Sequence, residues 1–118
     1  MALALPVLSF GGPPTLLAML LYGLMPALRG TVAALEDAGL AGCHLEDQVN
    51  PKRCGHLDGK EVVDKEVMVR RISAAVNERR DPNFIICART DAAGVNGIDD
   101  AIDRAKAYAE AGADLIFT

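Results

Sequence analysis

Five consecutive apolar residues, Phe84-Ile-Ile-Cys-Ala88, stand between two segments of helical period, and no other feature constrains the fold of this chain as strongly. An apolar run of strand length without alternation marks a strand buried on both faces, which parallel sheets produce and half-solvated antiparallel sheets do not. Before it, Met68, Ile72, Ala75 and Val76 fall at helical spacing in a helix expected from Lys65 to about Arg80, capped by Asp64 and stopped by Asp81-Pro82. After it, Ile98, Ala101, Ile102, Ala105, Tyr108 and Ala109 form an apolar stripe in a helix expected over Ile98–Ala111. Asp99 and Asp100 sit in its first turn, where the helix dipole favours them, and Gly112 closes it. A shorter helix is expected from Thr31 as N-cap, with Val32, Leu35 and Ala38 as its apolar face and Gly39 at its end. Strands are expected at Cys43–Glu46, Phe84–Ala88 and Asp114–Thr118, the last reading as the start of a strand. Glu36-Asp-Ala-Gly-Leu-Ala and Glu110-Ala-Gly-Ala-Asp-Leu each run a helix through Ala-Gly into a strand, a weak internal echo of one repeating unit. Strands alternating with helices imply an α/β fold of parallel βαβ units with right-handed crossovers.

Length and charge narrow the possibilities further. A chain of 118 residues suffices for one small domain but not for a whole (β/α)8 barrel of about 250 residues. With 12 basic and 16 acidic side chains the net charge is −4, so no nucleic-acid footprint is expected. An anionic ligand must then be met by local charge, for which Arg89 and the pair Lys52 and Arg53 are the candidates. Three cysteines without a C-x-x-C pair argue against a disulfide framework or structural zinc and fit a reducing cytoplasm. Met1–Leu28 carries no charged side chain, yet Pro6, Gly11, Gly12, Pro13, Pro14, Gly23 and Pro26 leave no run of roughly 20 apolar residues able to span a membrane. It also lacks the basic start of a secretory signal, and strands are expected at Leu3–Leu8 and Thr15–Leu21. Gly11-Gly12-Pro13-Pro14 is a turn, without the Lys-Ser/Thr ending of a phosphate loop.

The chemistry is concentrated in Gly42–Asp58, GCHLEDQVNPKRCGHLD, where an apolar run ends in a dense set of ionisable and thiol groups. Glu46 and Asp47 emerge at the carboxyl end of a strand, the end at which α/β folds carry their sites. A solvated carboxylate pair is the plainer alternative. Cys54 lies among Lys52, Arg53 and His56, and nearby positive charge lowers a thiol pKa; an incidental cysteine in a mixed-charge loop is again the plainer reading. Gly55 allows close approach of a ligand to the backbone. Arg89 follows a buried strand and must pair with a carboxylate, with Asp91 one candidate. His44, Cys43 and Cys87 read as core residues.

His44-Leu-Glu-Asp-Gln48, Pro51-Lys-Arg-Cys-Gly-His56 and Ala88-Arg-Thr-Asp-Ala92 together resemble the isocitrate lyase and phosphoenolpyruvate mutase superfamily, in its methylisocitrate lyase-like branch. The resemblance runs from about Tyr22 onward, which divides the chain into a divergent apolar segment, 1–21, and a family-like part, 22–118. It implies part of a TIM-type (β/α)8 barrel with parallel strands. It further implies a carbon–carbon lyase that cleaves a 2-hydroxy polycarboxylic acid to an α-keto acid plus a dicarboxylate such as succinate, in propionate catabolism. On the matching positions Cys54 is the general acid, Cys54, Gly55, His56 and Arg89 bind substrate, and Lys52 and Arg53 support the thiol. Glu46 reaches a Mg²⁺ ion through water, and the full-length enzymes form homo-oligomers, as tetramers. Leu17 and Met19 stand where the resembling enzymes place two metal-holding aspartates. Hydrocarbons cannot ligate a hard cation, so no appreciable lyase turnover is expected of the chain even though its cysteine motif is intact. The alternative reading is a non-catalytic or truncated barrel fragment.

Overall fold

The computed structural model describes residues 30–49 and 58–118, and the strands expected at Leu3–Leu8 and Thr15–Leu21 lie outside them. In chain order the elements are α1 (Thr31–Asp37), β1 (Gly42–Glu46), α2 (Lys65–Glu78), β2 (Ile85–Arg89), a 3₁₀ turn at Ala92–Gly94, α3 (Ile98–Glu110) and β3 (Leu115–Phe117). The three strands form one parallel sheet in the order β1-β2-β3. A sequential order with right-handed crossovers puts α2 and α3 on the same side of the sheet, which is how a barrel is wound and how a doubly wound sheet is not.

Register divides the side chains between two faces. Cys43 pairs with Ile86, and Leu45 pairs with Ala88 and, through it, Ile116. These residues point toward the helices, where Val32, Leu35, Met68, Ile72, Ala75, Phe84 and Tyr108 complete the buried core. The other face carries two rungs, His44–Cys87–Leu115 and Glu46–Arg89–Phe117, the second at the carboxyl ends of the strands. Gly42 opens β1 where a side chain has no room, since a Cβ there would lie 2.5 Å from the Ile85 carbonyl oxygen.

Several boundaries move from their expected places, each for a local reason. Gly30 is the N-cap of α1, so Thr31 is its first helical residue and is buried. Asp64 does cap α2, but without a side-chain hydrogen bond. That helix stops at Glu78 rather than Arg80, because Arg79 is drawn into extended backbone by its bonds to the Phe84 carbonyl (2.8 Å) and Asp114 (2.6 Å). Strand β2 takes Arg89 in and leaves Phe84 out. The stripe expected on α3 is rotated: Ala101, Arg104 and Tyr108 are buried, whereas Ile98, Ile102 and Ala109 are exposed. An arginine has displaced isoleucines from the inner face because it has buried oxygen partners there.

Candidate active site

At the carboxyl end of the sheet the face away from the helices presents Glu46, Gln48, Arg89 and Asp91, with Phe117 beside them. Glu46, Gln48 and Arg89 arrive there by strand alternation and register, and Asp91 by the turn that follows β2. The Gln48 amide nitrogen donates to Glu46 Oε1 at 2.9 Å and to Asp91 Oδ2 at 3.0 Å. Arg89 Nη2 donates to Asp91 Oδ1 at 3.2 Å, and its Nε lies 3.5 Å from Glu46 Oε1. The guanidinium also sits over the Phe117 ring, 5.2 Å from the centroid, and that ring stacks on His44 at 6.0 Å. Burial opposes the charge on Asp91, but the hydrogen bonds of Glu46 and Gln48 and the Arg89 guanidinium outweigh it and hold the carboxyl at about 2.

The expected site residues divide clearly. Glu46 and Arg89 lie on one rung of one sheet, within ion-pair distance. Lys52, Arg53, Cys54, Gly55 and His56 lie outside the described residues. Glu46 and Asp47 are not a solvated pair: both are buried, and their partners lie on opposite sides of the sheet. His44 is half-buried on the face away from the helices and stacked on Phe117, so it is not in the helix-side core. Cys43 is in the core, where burial and the nearby Cys87 push its thiol up to about 12. Gln48 and Phe117 escaped the sequence reading. Gln48 was findable, because position i+2 from Glu46 returns to the same side of an extended chain.

The profile of the family described as phosphoenolpyruvate phosphomutase matches residues 21–118. The chain belongs to this family. Over 94 residues it is 82% identical to probable 2-methylisocitrate lyase 2 of Corynebacterium glutamicum, a stretch covering 80% of this chain and 30% of that protein. Among solved structures of the phosphomutase family and its superfamily, 2,3-dimethylmalate lyase, a PEP mutase/isocitrate lyase superfamily member, aligns at 40% identity with a TM-score of 0.76. That alignment covers 81% of this chain and 33% of that one. Phosphonopyruvate hydrolase, solved with oxalate and Mg²⁺, aligns at 33% identity and a TM-score of 0.69, over 80% of this chain and 32% of its own. The chain thus spans about a third of the length of these relatives, and its three strands are part of a TIM-type barrel. Among the described residues no helix is long and apolar enough to cross a membrane.

The superfamily implies a divalent ion, as in the Mg²⁺ complex of phosphonopyruvate hydrolase. Mg²⁺ requires octahedral oxygen coordination. Among the described residues no group of three or more His, Cys, Asp or Glu side chains is placed to hold a metal. Glu46 and Asp91 already receive the Gln48 amide and face a guanidinium, which repels a cation. Leu17 and Met19 offer no oxygen. These residues do not make up a magnesium site.

Proposed function

We propose that this chain carries the substrate-holding and proton-donating arm of a carbon–carbon lyase acting on a 2-hydroxy polycarboxylic acid of the 2-methylisocitrate type. The observation that carries the reading is Arg89, a guanidinium at the carboxyl end of a central strand, in a chain 82% identical over 94 residues to a probable 2-methylisocitrate lyase. Such a position suits recognition of a carboxylate, because a planar guanidinium donates two parallel hydrogen bonds to it.

In the reaction a base takes the proton of the substrate hydroxyl. The bond from that carbon to its carboxylate-bearing neighbour breaks, the hydroxyl carbon becomes the carbonyl of an α-keto acid, and the electron pair stays on the departing dicarboxylate. Cys54 then gives its thiol proton to that carbanion and is left as thiolate. Lys52, Arg53 and His56 favour the thiolate and bring the acid toward working pH. Gly55 and His56 complete the substrate contacts, and Arg89 fixes one carboxylate so that the breaking bond stays aligned with the thiol. A bound Mg²⁺ would act as a Lewis acid, but the donors described above do not complete its site, and no step is routed through it. Propionate catabolism in a reducing cytoplasm is the setting that fits these relatives.

The test combines binding with turnover. Calorimetric titration of the purified chain with 2-methylisocitrate should show saturable binding that weakens at least about tenfold in Arg89→Met, the loss of a charge-assisted bidentate pair. Pyruvate release in the presence of Mg²⁺ is expected to be negligible, and release that vanishes in Cys54→Ala would instead show a working magnesium-dependent lyase. Equal binding by wild type and Arg89→Met would remove the reading.

A further inference from the structure

Beneath the candidate site, on the helix side of the sheet, lies a second polar cluster that the proposed chemistry does not use. Its centre is Asp47, which is fully buried. Asp47 Oδ2 accepts hydrogen bonds from the Tyr108 hydroxyl at 2.7 Å and from Arg104 Nη1 at 3.3 Å, both side chains of α3. Its Oδ1 accepts from the Asp91 backbone N–H at 3.1 Å. Its own N–H donates to the Arg89 carbonyl at 3.2 Å, and its carbonyl accepts from Val63 N–H at 2.7 Å. Arg104 adds a bond to the Val63 carbonyl at 2.7 Å and an ion pair with Asp100 at 2.9 Å. Arg71 of α2 is buried in the same layer, and its Nε and Nη1 have no hydrogen-bond partner among the described residues. Asp47 and Tyr108 are the groups whose charge it feels, so a second guanidinium attracts the same carboxylate.

Stability alone does not account for such a cluster, because well-packed hydrocarbons replace buried ion pairs at little or no cost. The destination of the bonds is more informative. The Asp47 bonds to Asp91 N–H, the Arg89 carbonyl and Val63 N–H, and the Arg104 bond to the Val63 carbonyl, all end on backbone. Asp91 N–H and the Arg89 carbonyl belong to the segment carrying Arg89 and Asp91, and Val63 belongs to the stretch that pairs with the segment carrying Glu46 and Gln48. Val49 N–H to the Glu61 carbonyl, at 2.8 Å, and the antiparallel bridge between Gln48 and Val62 extend the same tie.

We infer that Asp47, clamped by Arg104 and Tyr108, is the positioning residue of the site: it docks the strand ends on α3 and so fixes the spacing of Glu46, Gln48, Arg89 and Asp91. The inference concerns the geometry of that cluster and stands whether or not lyase turnover is found. Its test is hydrogen exchange of the whole chain, followed by mass spectrometry, in Tyr108→Phe and Arg104→Lys. Peptides spanning residues 47–49, 61–63 and 89–92 should exchange about tenfold faster than in wild type, a local opening, while the Met68–Ala75 face of α2 keeps its protection. Tyr108→Phe preserves the packed ring, and Asp47→Asn, which keeps one acceptor oxygen, repeats the test if Arg104→Lys fails to fold. A uniform rise across all peptides would make the cluster a structural element only and overturn the assignment. No change at residues 47–49 and 89–92 would overturn it equally.

Discussion

A guanidinium at a strand end has to be compensated, and Arg89 shows how much follows from that single requirement. Glu46 on the neighbouring strand and Asp91 two residues along the chain both face it. Arg89→Met removes the positive charge facing two buried carboxyls that share the Gln48 amide. The expected cost is about 2 kcal/mol, less than for a fully buried pair because the arginine side chain keeps 19% of its surface exposed. Urea denaturation at neutral pH measures it. The pH dependence has a fixed sign. Asp91 is held at about 2, below its ordinary 3.8, so its contribution is fully present above the higher value and is lost as pH falls toward the lower. Wild-type stability should therefore decline between about pH 4 and pH 2, and the penalty of Arg89→Met should shrink over the same window. A penalty equal at pH 7 and pH 3 would mean that something other than these carboxyls holds the guanidinium. The need for an acid beside Arg89 was legible in the sequence, and Asp91, one candidate there, is a partner. Glu46 was not legible as the other, because it is 43 positions away in sequence and only strand register makes it a neighbour.

Among the elements, the repeated helix, glycine and strand unit is the part that the sequence displayed best. Gly39 and Gly112 both adopt left-handed backbone, with φ of 84° and 108°. The same two bonds close each helix: Leu40 N–H to the Leu35 carbonyl with Gly39 N–H to Glu36, and Ala113 N–H to the Tyr108 carbonyl with Gly112 N–H to Ala109. These are Schellman ends, and they launch β1 and β3 from equivalent positions. The two sites differ in their surroundings. A Cβ at Gly39 meets nothing within 4 Å, whereas at Gly112 it would lie 3.1 Å from a Val76 methyl on α2. Gly39→Ala should therefore cost about 1 kcal/mol from backbone strain alone, and Gly112→Ala about 1 kcal/mol more. Thermal melts of the two variants check the order, and equal losses would show that Val76 yields without cost. Helix α3 was the element least well read. Periodicity counts Ile98 and Ile102 as core residues because it weighs hydrophobicity and not partners; Ala101 and Tyr108 of the expected stripe are buried, and Arg104 joins them through its bonds to Asp47 and Val63.

The described residues form a sheet wound in one direction, with helices on one side. The parallel α/β character was readable from the apolar runs and crossover helices; the exposure of β3 on the face away from the helices was not, since it depends on strand order. Leu115 and Phe117 on that face are about half exposed, and Ile116, which pairs only with β2 among the described residues, is 36% exposed. Ile98 and Ile102, exposed on α3, add apolar surface close by, since α3 packs against β3. Among the described residues β3 thus has one unpaired edge and exposed apolar side chains, which together are a template for a further strand. The net charge of −4 provides only weak repulsion at physiological salt, where charges more than about 8 Å apart are largely screened. The chain is therefore expected to associate, with sedimentation velocity showing a distribution that grows with concentration and an unfolding transition that is broad and concentration-dependent. Lysine substitution at Ile116 places charge on the strand edge, and lysine at Ile102 breaks the exposed helix stripe, so the double variant should shift the distribution toward monomer with little change in helix content. A wild-type chain that sediments as a monomer and unfolds in one sharp transition would mean that the β3 edge is already protected, and the lysine pair would then have nothing to relieve.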